Sequence, residues 1–294
     1  MPLGYVFTSY GGPGSQRFLD LPMPEPGPGE VLVEVHAAGV NPVDWKVREG
    51  MHRAFLPLEL PAVLGREVAG TVVRSAPGFA VGDRVCGPTV GGCGGYAEFA
   101  LLPADRAARM PEGLSFTDAA VLPIAAGTAY DALEALDLRP GESLLILGVG
   151  GGVGTVAAQL AVMRGIEVAG TASPSKHVYV EQLGVVAYDH DQGPSRVDAV
   201  LDLVGGDALR AVCAERILTV ADPAVAAQYG AQPLKRSGDP GVLAVLAELV
   251  ANGKLDPGVR QVFPFAEAGD ALAVVEAGQV AGKVVIGLPT GPRH

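Results

Sequence analysis

The chain has 294 residues, 49% of them hydrophobic and only 18% charged. That length suits two domains or one large α/β unit with ample material for a buried core. The 21 basic and 32 acidic side chains leave a net charge of −11, which disfavours general binding to nucleic-acid backbones but allows one local basic site for a small anion.

Three cysteines, Cys86, Cys93 and Cys213, with no C-x-x-C pair, exclude a disulfide framework and a cysteine-rich zinc site. The start MPLGYVFTSYGGPG lacks the basic-then-apolar pattern of a secretory signal. No uninterrupted apolar run of about 18 residues marks a membrane span. A cytoplasmic protein acting on a small molecule, with no membrane or nucleic-acid partner, is the expectation.

In chain order, Leu21–Glu30 (LPMPEPGPGE) is barred from helix by its prolines and reads as an extended loop. Val31–Ala37 alternates apolar and polar residues, with Val31, Val33 and Val35 on one face of a strand. Val68–Val73 and Asp83–Cys86 read as further strands between glycine-rich turns, so the first 120 or so residues predict a compact β-barrel-like domain. Beyond residue 115 the pattern changes. Ser115–Leu122 and Gly127–Leu136 have helical composition, Ser143–Leu147 is a short apolar run suited to a buried parallel strand, and Gly151–Met163 is helical. Ile166–Gly170 and Val197–Val204 are predicted strands, with a helix near Ser175–Leu183 between them. This alternation predicts a parallel sheet with helices on both faces. Gly241–Asn252 is a further helix, closed by Gly253, and Lys283–Leu288 returns to strand character.

The most informative segment is Leu144–Gln159, LLILGVGGGVGTVAAQ. A strand enters a glycine loop over residues 148–154 and leaves as a helix. Glycines there permit a tight turn and close approach to a pyrophosphate, and the helix N-terminus adds free N–H groups and a positive dipole end. The Gly-x-Gly-x-x-Gly pattern is incomplete: Val149 stands at its first position, and Gly151 and Gly154 fill the others. A tight strand–helix turn with no ligand has the same signature. The second strand points to the cofactor type. NAD sites place an acid about 20 residues on, to bind the ribose 2′-OH. Here the segment is Gly170-Thr171-Ala172-Ser173-Pro174-Ser175-Lys176, with hydroxyls and a lysine but no carboxylate. That set suits a 2′-phosphate, hence NADPH. The same residues also suit a helix start, with Ser173 as N-cap and Pro174 at the first position.

These features resemble the zinc-independent quinone oxidoreductases of the medium-chain dehydrogenase/reductase (MDR) superfamily. The resemblance runs over nearly the whole chain. It is carried by Pro24–Val33, Ala38–Lys46 (AGVNPVDWK), Leu64–Gly70 (LGREVAG), Val81–Val85, Gly127–Tyr130, the glycine loop, Leu203–Gly206 and Gly282–Val285. It implies a GroES-like β-barrel catalytic domain over residues 1–122 and 259–294, a Rossmann doubly wound parallel-sheet domain over 123–258, and an active-site cleft between them. Zinc-dependent relatives carry a Cys after the Ala-Gly motif and a His in Gly-His-Glu; Asn41 and Arg66 stand near or at those places. The segment Thr219–Pro240 is shorter than usual, and a homodimer through the Rossmann sheet edge is implied.

Carried over by position, Asn41, Asp44 and Lys46 would face the cleft as catalytic residues. Thr128 would contact the nicotinamide carboxamide, and Phe263 would border the nicotinamide. Gly151, Gly152, Val153 and Gly154 would hold the pyrophosphate, and Thr171, Ser173 and Lys176 the adenosine ribose phosphate. Val204 and Gly205 would pass near the cofactor. Without a metal, an oxyanion must be met by hydrogen-bond donors such as Asn41, Lys46 or backbone N–H groups, and a proton must come from Lys46, Tyr96 or water. Asn41-Pro42 also reads as a simple turn, Asp44 as a backbone-orienting acid, Lys46 as a solvated cation and Tyr96 as a packed strand residue. The implied activity is hydride transfer from NADPH to a quinone or an α,β-unsaturated carbonyl. A pathway-specific enoyl reductase or cyclase acting on a polyketide-like intermediate, and a non-catalytic NADPH-binding protein, are the alternatives.

Overall fold

The computed structural model describes residues 1–221 and 227–289; the middle of the shortened Thr219–Pro240 segment therefore lies outside the described residues. The chain forms two compact units. One comprises Met1–Ile124, Gly238–Lys254 and the chain from Val259 onward; the other comprises Ala125–Ser237 and Leu255–Gly258.

The first unit is built around the strand Glu30–Val40. The Pro/Gly-rich lead-in ends where apolar alternation begins, and Val31, Val33 and Val35 all lie in the core, as their spacing requires. On one side this strand pairs antiparallel with Glu67–Arg74, which is followed by Arg84–Pro88 and Ala108–Arg109. On its other side Glu30–Glu34 pairs with Phe99–Pro103 and Ala37–Val40 with Lys283–Gly287. Val259–Pro264 adds in parallel to Lys283–Gly287, so the C-terminal tail completes the first sheet. A smaller sheet of Gln16–Asp20, Leu3–Phe7 and Ala62–Val63 covers one side. The helix Ala268–Glu276 packs Ala268, Ala271 and Leu272 into the same core. The helix Pro240–Ala251 is capped by the Asp239 carboxylate on Gly241 N–H (2.7 Å). It packs on Ala108–Arg109 and so groups with this unit, whereas the sequence layout puts it with the nucleotide-binding half.

The second unit carries a six-stranded, all-parallel sheet. Its order is Val186–Tyr188, Glu167–Thr171, Ser143–Leu147, Arg196–Asp202, Cys213–Thr219, Gln232–Pro233. The chain winds outward in both directions from Ser143–Leu147, whose Leu144, Leu145 and Ile146 are fully buried. This is the doubly wound Rossmann arrangement, in which ligands bind beyond the carboxyl ends of the strands at the point where the order reverses. The predicted strand Val197–Val204 stops at Asp202, because the Asp202 carboxylate takes the Val204 and Gly205 N–H groups (3.0 and 2.8 Å) and turns the chain. The predicted helix near Ser175–Leu183 resolves into a single tight turn, Pro174–Lys176, followed by the short helix His177–Glu181. Over Leu122–Ala126 the backbone widens into a π-type turn between the helices Phe116–Ala119 and Gly127–Leu136. The stretch Phe116–Leu136 is apolar and long enough to cross a membrane, but most of it is buried in the protein.

Candidate functional site

In the second unit the register sets Tyr188, Thr171, Leu147, Asp202 and Thr219 in one row at the carboxyl edge of the sheet. The loops after Leu147, Thr171 and Asp202 carry the residues the sequence singles out. After Leu147 the chain turns at Gly148, whose φ of +84° favours glycine. Gly148 and Val149 N–H donate to the Thr171 carbonyl (3.1 and 3.0 Å), and the Thr171 hydroxyl also accepts from Gly148 N–H (3.2 Å). Gly151 opens the helix Gly152–Met163, and no side chain caps that end. Gly154 permits the close helix–strand packing: a Cβ there would lie 2.6 Å from Val149 Cα and carbonyl oxygen. Val149 itself is fully buried, which explains why an apolar residue stands at the first pattern position. A Cβ on Gly151 would meet only the Gly148 carbonyl, at 3.5 Å, so the turn leaves a cradle there. A pyrophosphate fits a bare-backbone cradle at an uncapped helix N-terminus.

The second loop follows Thr171. That residue is buried and its hydroxyl holds the glycine turn, so its role is to brace the loop rather than to offer an open hydroxyl. Ser173 and Ser175 are at least partly exposed, with hydroxyls 3.3 Å apart, and Ser173 makes no capping bond through its side chain. Lys176 folds back over the glycine turn. Its Cδ and Cβ lie 3.0 and 3.3 Å from where a Gly150 Cβ would sit, and partial burial pulls its pKa below the usual lysine value. The third loop, Leu203–Gly205, is fixed by Asp202, which also accepts from Thr219 Oγ1 (2.8 Å). Val204 is exposed and Gly205 buried. Asp202 escaped sequence reasoning, although an acid inside the apolar run VLDLV was a visible signal. Thr128 is buried, and its hydroxyl accepts from Arg236 (2.8 Å), whose Nε donates to Asp131 (3.0 Å).

In the first unit, Pro42 starts the helix Pro42–Arg48 with Asn41 as N-cap and Asp44 at its third position. The Asp44 carboxylate accepts from Asn41 N–H (2.9 Å) and from the Tyr96 hydroxyl (2.7 Å). Burial raises Asp44 to about 6, against the lowering effect of those two bonds. Burial, together with the Asp44 charge, pushes Tyr96 well above its usual value. The Asn41 side chain lies in a second buried network. Lys283 Nζ donates to Asn41 Oδ1 (2.6 Å), Glu67 Oε1 (2.9 Å) and the Val40 carbonyl (3.0 Å). Asn41 Nδ2 also donates to Glu67 Oε1 (2.9 Å), and Glu67 Oε2 accepts from Ile124 N–H in the π-type turn (2.7 Å). Glu67, Lys283 and Asn41 are 0, 4 and 5% exposed. Gly39 makes room for this: a Cβ there would clash with the Glu67 carboxylate and lie 2.6 Å from the Ala120 carbonyl.

Asn41 and Asp44 are both buried: the Asn41 amide and Asp44 Oδ2 are hydrogen-bonded inside the protein, and the Tyr96 hydroxyl donates to that same Oδ2. Lys46 is different. It is half-buried with its Nζ 5.7 Å from the Trp45 ring centre, and no carboxylate lies within ion-pair distance among the described residues. Phe263 packs at the rim of the first unit's core. Lys283, the missed member, lay in plain sight in the Gly-Lys-Val-Val segment; no local pattern ties it to Glu67, 216 residues away. Among the described residues no three His, Cys, Asp or Glu side chains gather as metal ligands would.

A Rossmann sheet with a glycine turn at its switch point, joined to a GroES-like sheet that the C-terminal strands complete, is the architecture of a two-domain dinucleotide-dependent oxidoreductase. Comparison with known proteins gives the same class. The family model described as "Alcohol dehydrogenase GroES-like domain" matches residues 27–112, and "Zinc-binding dehydrogenase" matches residues 176–286. The chain is 33% identical over 305 residues to 2-methylene-furan-3-one reductase of Solanum lycopersicum, covering 96% of this chain and 78% of that one. It is 32% identical over 313 residues, with the same coverage, to the chloroplastic NADPH-dependent alkenal/one oxidoreductase of Arabidopsis thaliana. The structure of the quinone oxidoreductase from Coxiella burnetii superposes with a TM-score of 0.92 at 30% identity, covering 98% of this chain and 99% of that one. The chain belongs to the quinone oxidoreductase family of the medium-chain dehydrogenase/reductase superfamily.

Proposed function

We propose that this protein is an NADPH-dependent reductase that transfers hydride to a quinone or to the β-carbon of an α,β-unsaturated carbonyl compound. The observation that carries the cofactor assignment is the placement of Lys176 across the glycine turn at Gly150. It joins the pyrophosphate cradle to a cation and two serines, where an NAD site would carry an acid. The names of the tomato and Arabidopsis relatives support the acceptor class.

NADPH, when bound, supplies the hydride. The chain's own residues do the rest. Gly152, Val153 and Gly154 would present backbone N–H groups to the pyrophosphate, while Gly151, whose N–H donates to the Gly148 carbonyl (3.1 Å), closes the turn that cradles it. Ser173 and Lys176 hold the 2′-phosphate, with Thr171 bracing the turn beneath them. Val204 and Gly205, set by Asp202, shape the adjoining edge, and Thr128 would border the nicotinamide. Lys46 is the cation that meets the developing oxyanion and returns a proton. Asn41 and Asp44 act one step removed: they fix the start of the helix that carries Lys46. Pairing of two copies through the edge of the six-stranded sheet, and residence in the cytoplasm, belong to the same proposal.

The test is NADPH oxidation, followed at 340 nm, with a panel of neutral quinones and enones. Turnover with at least one of them is expected. Tight NADPH binding with no turnover on any would sink the assignment and favour a binding protein without catalysis.

A further inference from the structure

A cavity of about 440 Å³ opens within the first unit, and its lining is unlike the rest of this acidic protein. Arg66, Arg106 and His52 provide its polar side, Phe55, Leu56 and Ile124 its apolar side, and among the described residues no Asp or Glu lines it. Neither arginine has an ion-pair partner within 4 Å among the described residues, although the chain carries 32 acids. Arg66 Nε is shielded from solvent and has no hydrogen-bond partner among the described residues. A buried guanidinium donor left unpaired is costly, and such groups ordinarily meet a carboxylate. The fold also makes room for this side chain. Gly92 has a φ of +71°, and a Cβ there would lie 3.1 Å from Arg66 Nη1. His52 is held below its usual pKa by burial and by the neighbouring Arg66 and Lys46 charges. It therefore presents a neutral ring beside the cations near pH 7.

We propose that this pocket holds a carboxylate on the acceptor, so that the preferred substrates are enones whose apolar body carries an anionic end. The proposal rests on the reductase reading above. A guanidinium grips a carboxylate through two parallel N–H bonds, and the apolar wall accommodates the body attached to it. In trans-3-benzoylacrylate the alkene carbon β to the ketone takes a hydride from NADPH and the neighbouring carbon takes a proton. One C=C π bond is lost, two C–H bonds form, and the products are 3-benzoylpropionate and NADP⁺.

The test compares the full-length protein with R66Q and R106Q on trans-3-benzoylacrylate and its methyl ester, which share the reacting enone and differ in charge. In parallel, calorimetry measures binding of 3-benzoylpropionate, which needs no turnover. The wild type is expected to favour the acid over the ester in kcat/KM by about ten- to hundredfold, mainly through KM. R66Q is expected to bring that ratio close to one and to abolish 3-benzoylpropionate binding, with NADPH affinity, carried by the other unit, as the control for folding. If R66Q fails that control, R106Q and the salt dependence of wild-type binding decide. Reduction of the ester with no preference for the acid overturns the pocket assignment and leaves the reductase reading standing. Arg66-dependent binding of 3-benzoylpropionate with neither enone reduced supports the pocket and overturns the reductase reading. Binding of inorganic phosphate but not of 3-benzoylpropionate overturns the carboxylate assignment.

Discussion

The two units build their polar centres in opposite ways. In the second unit the candidate nucleotide edge is made of backbone: a glycine turn, an uncapped helix end and a loop pinned by Asp202, all within about sixty residues of the chain. In the first unit the centre is made of side chains, with Asn41, Glu67 and Lys283 meeting from three strand ends far apart in the chain. Backbone sites tolerate no added volume, and side-chain clusters tolerate no lost partner. The same kind of substitution therefore damages the two units for different reasons.

The largest effect is expected at Lys283. Replacement by Met strands the fully buried Glu67 carboxylate and should cost about 3–5 kcal/mol of stability, read by urea denaturation. Adding Glu67→Gln should recover most of that, since a neutral pair no longer buries an uncompensated charge. A single-variant loss below about 1 kcal/mol would show that the cluster does not hold the first unit together.

Next comes a pH effect from Asp44. Its native pKa of about 6 lies above the unfolded value of 3.8. Between these values the native state keeps a proton that the unfolded chain has released. Its contribution is therefore full below about pH 4 and lost as pH rises through about 6, a swing on the order of 3 kcal/mol. Asp44→Asn keeps an acceptor for Asn41 N–H and Tyr96 and removes the ionisation. The stability difference between variant and wild type should thus shift toward the variant from pH 4 to pH 7. A flat difference would contradict the assignment.

Gly154→Ala sets a methyl against the Val149 backbone and is expected to cost about 1–3 kcal/mol while weakening NADPH binding, measured by fluorescence titration. The smallest and most selective effect is that of Lys176→Ala. NADPH affinity should fall about ten- to hundredfold, as befits lost hydrogen bonds to a charged group, with NADH affinity unmoved. An equal loss for both cofactors would move Lys176 from phosphate recognition to general support of the turn.

Legibility in the sequence follows the same division. The parallel strands, the glycine turn and the missing acid after the second strand are local patterns, because backbone sites are encoded by consecutive residues. Where local reading went astray, a side chain had redirected the backbone. Asp202 ended a strand two residues before its apolar run did. Asn41-Pro42 was legible as a turn and Asp44 as an acid that orients a backbone group. That their side chains face inward was not, because it depends on where Tyr96, Glu67 and Lys283 arrive.

By itself the sequence determined the two-part architecture, the glycine turn after the first parallel strand and the class of cofactor, all of which rest on periodicity, glycine spacing and the presence or absence of one charge. Only the tertiary structure decided which polar residues near Asn41 are spent inside the protein and which, like Lys46 and Arg66, keep a charge without a carboxylate partner among the described residues. Hydrogen bonding between side chains brought together by long-range strand pairing makes that choice, and such pairing leaves no trace in local spacing.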